Sequence, residues 1–528
     1  MTADAEAVSA ADLSSLPTRT LSAAQLGDLE LVLNGALAPL SGFMTMADAT
    51  AVADDWRLAD GTPFPVPVTL DVPATVQAAE APADRILLAD PEGAPIAVMA
   101  VTERTALDEH GDLVRLAGAV SANRPPEHGP FRRLMLSPAA ARAELGDRSV
   151  LAFATRGPLT SRQIGQVRHL ADRLKARVLI LPLVSGHAAV VGSAQALIRS
   201  VLAGMSSLPA DSLLVPVPLP QHADSPESPA ERARELALSG RVAAAYGATH
   251  LMVDGPMPTA PDLPPGADLT ACALIPMVAG GDWAYDPAAE VWRPHSLIEP
   301  GTEREDLSAD QLGDLLDAGS KIPDWVVPAA VARELRRVRK PRAERGLVLF
   351  LTGLSGSGKS TIARDLADVL AERSDRQVSL LDGDLVRQVL SAGLSFARAD
   401  RDLNIARIGF VAAEIARHGG IAICAPIAPF AAARAQVRQM VSEVGDFFLI
   451  YVATPVEVCE ARDRKGLYAK ARAGLIGQFT GVSDPYEEPA DAELVIDTTA
   501  TSRPEAVQAV LGMLTKGGWL ADQPAIGR

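Results

Sequence analysis

The segment GLSGSGKS, which begins at Gly353, matches the pattern G-x-x-x-x-G-K-[ST] and predicts a loop that binds nucleotide phosphates. Gly353, Gly356 and Gly358 let the backbone curl so that several N–H groups point at phosphate oxygens. Lys359 would reach the β- and γ-phosphates, and Ser360 would offer its hydroxyl to Mg²⁺. The motif lies between an apolar run and an amphipathic helix whose positive end favours phosphate. A mere glycine-rich turn would not explain this placement.

Two carboxylates follow the next predicted strand, in the run Asp382-Gly-Asp384-Leu-Val-Arg387. Carboxylates at the carboxyl end of a strand beside a phosphate loop can hold Mg²⁺ or orient an attacking hydroxyl. Arg387, one helical turn further on, can bind an anionic acceptor. The alternative is that the run is only a turn. We expect Lys359 and Asp382 to be catalytic, and Ser360 and Asp382 to hold the metal.

Cationic and aromatic residues cluster further along the chain. Phe396, which could stack on a purine, and Asn404 accompany three arginines, Arg398, Arg401 and Arg407. This pattern predicts a binding surface for an anionic nucleotide. A solvated helix face is the alternative.

A second cationic segment, residues 462–472, precedes a stretch that runs from Gly474 to Gly481. Its charge and its glycines fit a mobile lid that closes over phosphates and excludes water. An ordinary solvated loop would have the same composition.

The elements that must position these residues are strand–helix repeats. A helix is predicted over 361–372, and apolar strands are predicted at 346–352, 378–381, 420–424, 447–452 and 494–497. Five apolar strands interleaved with helices predict a doubly wound parallel sheet that is covered on both faces. This α/β domain is expected over residues 346–528.

The rest of the chain predicts two further domains. Alternating runs broken by proline predict a β-rich module over 26–135, and strand–helix alternation predicts a second α/β domain with a parallel sheet over 136–335. Residues 1–25 are expected to form a flexible arm, and residues 336–345 a basic linker.

The composition limits the classes of protein to which the chain can belong. A net charge of −16 and a pI of about 5.0 argue against general nucleic-acid binding. No run approaches the roughly 18 apolar residues of a membrane span, and the acidic N-terminus is unlike a signal peptide. Cys272, Cys424 and Cys459 are far apart and fit small buried hydrophobic residues in a reducing compartment. We expect a cytoplasmic protein that binds neither nucleic acid nor membranes.

The C-terminal motifs resemble those of the adenylyl-sulfate kinase family in order and spacing. The resemblance covers about residues 345–515 and is carried by GLSGSGKST, LDGDLVR, FARADRDLNIARIG and KGLYAKARAGLIGQFTGVSDPYEEP. It implies a P-loop kinase with Mg²⁺ as cofactor that transfers the γ-phosphoryl group of ATP to the 3′-hydroxyl of adenosine 5′-phosphosulfate. The implied ATP contacts are Gly353, Ser355, Gly356, Ser357, Gly358, Lys359, Ser360, Thr361 and Arg462. The implied contacts to adenosine 5′-phosphosulfate are Asp384, Arg387, Phe396, Arg401, Asn404, Ile427, Lys470 and Phe479.

One position departs from that family. Where many members read F-I-S-P-Y, this chain reads Pro426-Ile-Ala428-Pro-Phe430. Ala428 replaces a serine that has been considered a phosphorylated intermediate in some members, so a phosphoserine is excluded here. Direct in-line transfer, driven by positioning and charge stabilisation, is the expected mechanism.

The N-terminal part resembles ATP sulfurylase (sulfate adenylyltransferase) over about residues 25–335. The resemblance is carried by the segments Asp28–Met44 and Ala318–Trp325. It implies a PUA-like β-rich module followed by an α/β domain like that of the nucleotidylyltransferases.

The two motifs that carry the sulfurylase chemistry are altered in this chain. The first, Q-T-R-N-P-x-H-R-A-H, keeps Arg156 and displaces Arg162, while Thr160 and Gln163 replace both histidines. The second, G-R-D-H-A-G, is replaced by Asp254-Gly-Pro-Met and has no basic group. Loss of one charge-stabilising donor alone costs roughly 100- to 1,000-fold in rate. We therefore expect a non-catalytic domain, either a dimerisation scaffold or a nucleotide sensor.

Three alternatives remain open for the whole chain. Rearranged catalytic residues would make it a bifunctional synthase of 3′-phosphoadenylyl sulfate with an active adenylyltransferase. A loop that binds without turnover would make it a regulatory nucleotide-binding protein, although Lys359, Ser360 and Asp382 argue against this. A small-metabolite kinase would share the loop and the sheet but lack the Phe396 and Phe479 pair. ATP and adenosine 5′-phosphosulfate are the expected partners, and both halves suggest a homo-oligomer.

Overall fold

The computed structural model describes residues 16–73, 84–107, 113–124, 131–185, 193–222, 228–382, 386, 389–395, 397–463 and 465–520. The chain divides into two compact units. The first comprises Met1–Leu316 with Ser320–Arg339, and the second comprises Asp317–Gly319 with Lys340–Arg528. Across the described ranges, no helix has both the length and the apolar character needed to cross a membrane.

The first unit begins with a seven-stranded, mainly antiparallel sheet. Its strands are β1 (Thr18–Thr20), β2 (Gly42–Phe43), β3 (Leu70–Pro73), β4 (Arg85–Ala89), β5 (Pro95–Ala100), β6 (Glu103–Ala106) and β7 (Leu113–Ala122), and two helices accompany them, α1 (Ala23–Leu33) and α2 (Met46–Asp55). Five of the strands are hydrogen-bonded side by side in the order β1-β4-β5-β7-β2, and β3 and β6 also pair with β7. The prediction of a β-rich module is confirmed.

The prediction of a flexible arm over residues 1–25 is wrong for its last third. β1 pairs in parallel with β4, and α1 begins at Ala23 behind the N-cap Ser22, whose hydroxyl accepts a hydrogen bond from the Gln25 N–H. A strand partner about 70 residues away fixes this segment, which composition alone does not reveal. Residues 1–15 of the predicted arm lie outside the described residues.

The second part of this unit is an α/β domain. Its strands are β8 (Val150–Thr155), β9 (Arg177–Pro182), β10 (Leu213–Leu214), β11 (His250–Val253) and β12 (Met277–Ala279), and they form a parallel sheet in the order β10-β9-β8-β11-β12. The helices here are α3 (Pro138–Leu145), α4 (Ser161–Leu174), α5 (Ala194–Gly204), α6 (Pro229–Ala245) and α7 (Leu269–Ala273). A hairpin of β13 (Trp283–Asp286) and β14 (Val291–Pro294) follows, and then α8 (Ala309–Asp317) and α9 (Ala329–Val338). The predicted parallel sheet is confirmed.

The β-rich module and this α/β domain share a hydrophobic core. One cluster of buried residues extends from Leu21 and Leu29 of the module to Val150 and Leu251 of the parallel sheet. The segments predicted as separate domains, 26–135 and 136–335, therefore form one unit of the structure.

The second unit is a doubly wound α/β fold. Its strands are β15 (Leu347–Thr352), β16 (Val378–Leu381), β17 (Ile421–Cys424), β18 (Asp446–Val452) and β19 (Leu494–Ile496), all parallel and in the order β16-β17-β15-β18-β19. Its helices are α10 (Lys359–Arg373), α11 (Arg398–Arg417), α12 (Ala431–Ser442), α13 (Val456–Arg462), α14 (Leu467–Arg472) and α15 (Arg503–Lys516). Buried clusters cover both faces of the sheet. The predicted doubly wound fold is confirmed. It could be predicted because strands that are buried on both faces appear in a sequence as continuous apolar runs.

Short 3₁₀ turns connect several of these elements. They lie at Arg132–Leu134, Met205–Ser207, Ala260–Asp262, His295–Leu297 and Arg342–Glu344. The predicted basic linker, 336–345, thus contains the end of α9 and one 3₁₀ turn.

Candidate active site

The phosphate loop joins the central strand β15 to helix α10. All six residues of β15 are buried, and the loop leaves the strand at Gly353, whose φ is +145°. A Cβ at Gly353 would lie 2.5 Å from the carbonyl oxygen of Val452, so no side chain fits there. Gly358 has a φ of +105° and is the N-cap of α10. The glycines therefore make the turn that points the start of α10 at the cavity.

Lys359 is buried at the first position of α10. Its Nζ donates to the carbonyl of Leu354 at 2.7 Å and lies 3.4 Å from Ser357 Oγ. Burial disfavours the charged ammonium and lowers the pKa of Lys359 to about 8. The ammonium is held inside the loop, and the negative phosphates of a bound nucleotide would raise its pKa again.

Asp382 lies at the end of β16 and faces the same helix. Its Oδ1 accepts a hydrogen bond from Ser360 Oγ at 3.0 Å, and its Oδ2 accepts one from Arg364 Nη2 at 3.0 Å. The structure thus brings together the predicted metal-binding pair, Ser360 and Asp382. Arg364, one turn further along α10, is a partner of Asp382 that the sequence did not indicate.

Side chains from distant segments of the chain form hydrogen bonds with the main-chain carbonyls of the phosphate loop. The carbonyl of Ser357 accepts hydrogen bonds from Thr454 Oγ1 at 3.0 Å and from Thr498 Oγ1 at 3.1 Å. Tyr468 donates its hydroxyl to the carbonyl of Ser355 at 2.9 Å. Arg462, predicted to contact ATP, donates to Thr498 Oγ1 at 2.9 Å. Thr454 and Thr498 belong to none of the motifs quoted above, and Tyr468 lies in one of them but was given no role there.

A cavity of about 860 Å³ extends from the phosphate loop across the carboxyl ends of the strands. This edge of an open parallel sheet is where ligands bind in such folds. The predicted residues that line it are Ser355, Gly356, Gly358, Lys359, Ser360, Thr361, Asp382, Arg401, Asn404, Ile427, Arg462 and Phe479. Seven of the nine predicted ATP contacts and four of the eight predicted acceptor contacts thus share one space large enough for drug-sized ligands.

Arg401, one of the predicted acceptor residues, is held by contacts with three side chains. Its Nη2 lies 2.7 Å from Asp484 Oδ2, and its Nη1 donates to Thr480 Oγ1 at 3.2 Å. The guanidinium carbon is 5.1 Å from the centre of the Phe430 ring. The arginine therefore presents its charge to the cavity from a fixed position.

The remaining predicted acceptor residues have different positions. Phe479 packs edge-to-face on Tyr468, with ring centres 5.0 Å apart, and Asn404 accepts a hydrogen bond from Ser391 Oγ at 2.5 Å. Lys470 lies on α14 with an exposed side chain and is not among the residues that line the cavity. Three predicted residues lie outside the described residues: Asp384, Arg387 and Phe396.

The altered sulfurylase motifs meet at the carboxyl edge of the first parallel sheet. Thr160 and Gln163 form the N-terminal capping box of α4. Asp254, which follows β11, accepts hydrogen bonds from Arg162 Nη1 and Gln163 Nε2, both at 2.7 Å. Arg156 donates to three main-chain carbonyls, those of Ser185, Leu219 and Pro220. The basic groups that remain are thus engaged by the protein itself.

A phosphate loop between the central parallel strand and a helix, with a carboxylate against the loop serine, defines the second unit as a P-loop nucleotide-binding domain. The adenylylsulphate kinase family matches residues 345–497, and the PUA-like domain family matches residues 1–128. These matches confirm that the chain is an enzyme with an adenylylsulfate kinase domain and a PUA-like N-terminal domain.

Relatives match the chain over nearly its whole length. A sulfate adenylyltransferase of Mycosarcoma maydis is 37% identical and covers 94% of each chain. Another, of Phaeosphaeria nodorum, is 35% identical over 97% of this chain and 95% of the relative. A solved structure described as a hexameric APS kinase from Thiobacillus denitrificans is 34% identical, with a TM-score of 0.78. The match covers 97% of this chain and 95% of that one. The chain belongs to the family of these sulfate adenylyltransferases.

Proposed function

We propose that the protein transfers the γ-phosphoryl group of ATP to the 3′-hydroxyl of adenosine 5′-phosphosulfate, giving ADP and 3′-phosphoadenylyl sulfate. One observation carries the proposal. A single cavity is lined both by the phosphate loop and by Arg401, Asn404 and Phe479, which suit an anionic purine nucleotide. The match to the adenylylsulphate kinase family supports the choice of acceptor.

The donor side would work through charge and position. Lys359 and the N–H groups of the loop would bind the β- and γ-phosphates, and Arg462 would bind beside them. Ser360 Oγ and Asp382 Oδ1 offer a hydroxyl and a carboxylate oxygen 3.0 Å apart, donors that suit Mg²⁺, so these two residues would hold the ion. When bound, the ion would neutralise charge on the phosphates.

The transfer would be a single displacement. The 3′-oxygen of the acceptor forms a bond to the γ-phosphorus while the bond to the β-phosphate oxygen breaks and ADP leaves. Asp382 would orient the 3′-hydroxyl and receive its proton. Ala428 lines the cavity with no hydroxyl, so it cannot carry the phosphoryl group. A chiral γ-thiophosphate should invert its configuration, whereas retention would contradict this mechanism.

The product identifies the reaction. With the full-length protein, Mg²⁺, ATP and adenosine 5′-phosphosulfate, we expect ADP and an equal amount of a nucleotide whose new phosphate is on the 3′-oxygen. Phosphorus NMR and mass spectrometry distinguish this product from other phosphate positions. Hydrolysis of ATP without a new phosphate ester would contradict the proposal.

We further propose that the first unit does not catalyse adenylyl transfer. Asp254 places a carboxylate between Arg162 and Gln163, where the family's motif would present basic groups to the phosphates of ATP. The names of the full-length relatives favour the alternative, a bifunctional enzyme. Release of pyrophosphate from ATP and sulfate by full-length Lys359→Ala separates the two: we expect none, and clear turnover would establish the bifunctional enzyme.

We also propose that the protein is a homo-oligomer. The similar Thiobacillus denitrificans structure is described as hexameric and covers 97% of this chain. Light scattering coupled to size exclusion should give a mass that is a multiple of the 55.2 kDa chain.

A further inference from the structure

Arg434 is a buried arginine that no sequence motif and no part of the proposed mechanism uses. It lies in the first turn of α12 and is 3% exposed. Nη1 donates to the carbonyl of Ala428 at 2.8 Å, and Nη2 donates to the carbonyl of Glu487 at 2.7 Å. Its guanidinium carbon is 5.8 Å from the centre of the Tyr486 ring. One guanidinium thus joins two segments that are about 60 residues apart.

The first of these segments is a wall of the cavity. Ile427, Ala428 and Pro429 all line it, beside the predicted acceptor residues. Ala428 has a φ of +46°, a left-handed conformation that a residue with a Cβ seldom adopts. This turn therefore needs support from outside its own backbone.

The second segment follows the predicted lid. The Glu487 N–H donates to the carbonyl of Pro429 at 2.9 Å, and the Ala431 N–H donates to Glu487 Oε2 at 2.6 Å. Tyr486 continues the connection, because its hydroxyl lies 2.9 Å from Thr352 Oγ1 at the start of the phosphate loop. The same Thr352 Oγ1 donates to the carbonyl of Ile427 at 2.6 Å. The wall and the post-lid segment are thus bonded to each other at several points around Arg434.

We propose that Arg434 is a positioning residue for the acceptor nucleotide: it holds the wall 427–429 against Tyr486 and Glu487. This inference rests on the proposed kinase function. Of the two carbonyls that Arg434 holds, that of Ala428 belongs to a residue that lines the cavity beside the acceptor residues, and that of Glu487 belongs to the post-lid segment that is bonded to the same wall. The ATP phosphates, in contrast, would be bound by the loop and α10. Loss of Arg434 therefore weakens binding of the acceptor and leaves binding of ATP almost unchanged.

The test compares Arg434→Met with Arg438→Met in the full-length protein. Arg438 lies one turn further along α12, pairs with Glu493 at 2.6 Å and donates to the carbonyl of Asp491, but it does not line the cavity. It therefore reports the effect of losing an anchoring arginine from the same helix. Thermal unfolding of both variants measures their effect on stability.

We expect Arg434→Met to raise the KM for adenosine 5′-phosphosulfate by about 10-fold or more, with the KM for ATP changed by less than about 2-fold. Arg438→Met should leave both KM values near those of the wild type. Arg434→Lys, which can still donate to one carbonyl, should give an intermediate KM and carries the test if Arg434→Met does not fold.

Three results overturn the inference: an unchanged KM for the acceptor, equal changes in both KM values, or the same acceptor effect in Arg438→Met. The wild type in the same assay separates this failure from failure of the proposed function. If the wild type releases no ADP in response to adenosine 5′-phosphosulfate, the proposed function itself is contradicted. If it does so and the variants show one of the three results, only the role of Arg434 is wrong.

Discussion

At the scale of the residue, Asp382 shares its two oxygens between different partners. Oδ1 accepts from Ser360 and Oδ2 accepts from Arg364, each at 3.0 Å. The Arg364 side chain is 61% exposed, so this ion pair is screened by water and adds at most about 1 kcal/mol to stability. Asp382 can therefore turn from Arg364 to a bound ion or a hydroxyl at little cost.

This geometry predicts the effect of neutralising Asp382. Asp382→Asn should lower kcat by about 100- to 10,000-fold, because an amide neither holds Mg²⁺ as well nor receives a proton. Asp368→Asn neutralises an exposed carboxylate on α10, the helix that carries Ser360, and should change kcat by less than about 2-fold. Steady-state kinetics measures both, and activity near wild type in Asp382→Asn would remove this residue from the mechanism.

Part of the site could be predicted from the residues alone. Lys359, Ser360 and Asp382 were expected together because a compact motif and the end of the next strand must meet at one sheet edge. Tyr468 and Thr498 were not expected. Tyr468 lies at the start of α14 and Thr498 lies just after β19, so each contact with the loop depends on where an element more than 100 residues away along the chain begins or ends.

At the scale of the element, the phosphate loop is pressed against the neighbouring strand β18. Gly353 has a φ of +145°, and a Cβ there would meet the Val452 carbonyl oxygen at 2.5 Å. Because the opposing atom belongs to the backbone of a central strand, it cannot move aside cheaply. Gly512 in α15 is the opposite case, since a Cβ there would meet nothing within 4 Å.

Alanine at these two glycines should therefore have effects of opposite sign. Gly353→Ala should lower the free energy of unfolding by about 1–3 kcal/mol and weaken ATP binding, because it strains the loop. Gly512→Ala should raise the free energy of unfolding by about 0.5–1 kcal/mol, since alanine favours a helix. Denaturant unfolding and ATP titration measure these changes. ATP binding by Gly353→Ala at wild-type affinity would contradict the described loop.

The type of an element could be predicted from the sequence where a continuous run of apolar residues is buried. The five strands of the second unit were expected within a residue or two, because both of their faces are covered. The seven-stranded sheet was expected only as β-rich. Its long strand β7 pairs with β2, β3, β5 and β6, and these pairings depend on distant parts of the chain. Short strands with turns between them do not encode that arrangement locally.

At the scale of the whole molecule, a buried ion pair joins the two predicted N-terminal domains into one unit. His222 Nε2, on the segment after β10, lies 3.0 Å from Asp28 Oδ1 of α1. Burial opposes the charge on His222, but the hydrogen bond and charge of Asp28, with the charge of Glu235, outweigh it and raise the pKa of His222 above 6.5. The folded protein thus keeps a proton that the unfolded chain releases.

The stability of the first unit should consequently depend on pH. The stabilisation from His222 is complete below pH 6.5 and is lost as the pH rises through the raised pKa. The unfolding temperature of this unit should fall across that window. His222→Gln should reduce the dependence, while the exposed His418→Gln should leave it unchanged. Calorimetry from pH 6 to 9 tests this, and the same slope in His222→Gln would contradict the pairing with Asp28.

The central claim is that ATP is consumed at the phosphate loop with adenosine 5′-phosphosulfate as the acceptor. Coupled measurement of ADP release, with the acceptor varied at fixed Mg²⁺ and ATP, tests it most directly. We predict saturable, acceptor-dependent ADP release by the wild type, abolished by Lys359→Ala and retained by Lys516→Ala at an exposed lysine of α15. ADP release that does not depend on the acceptor, or that persists in Lys359→Ala, would contradict the account.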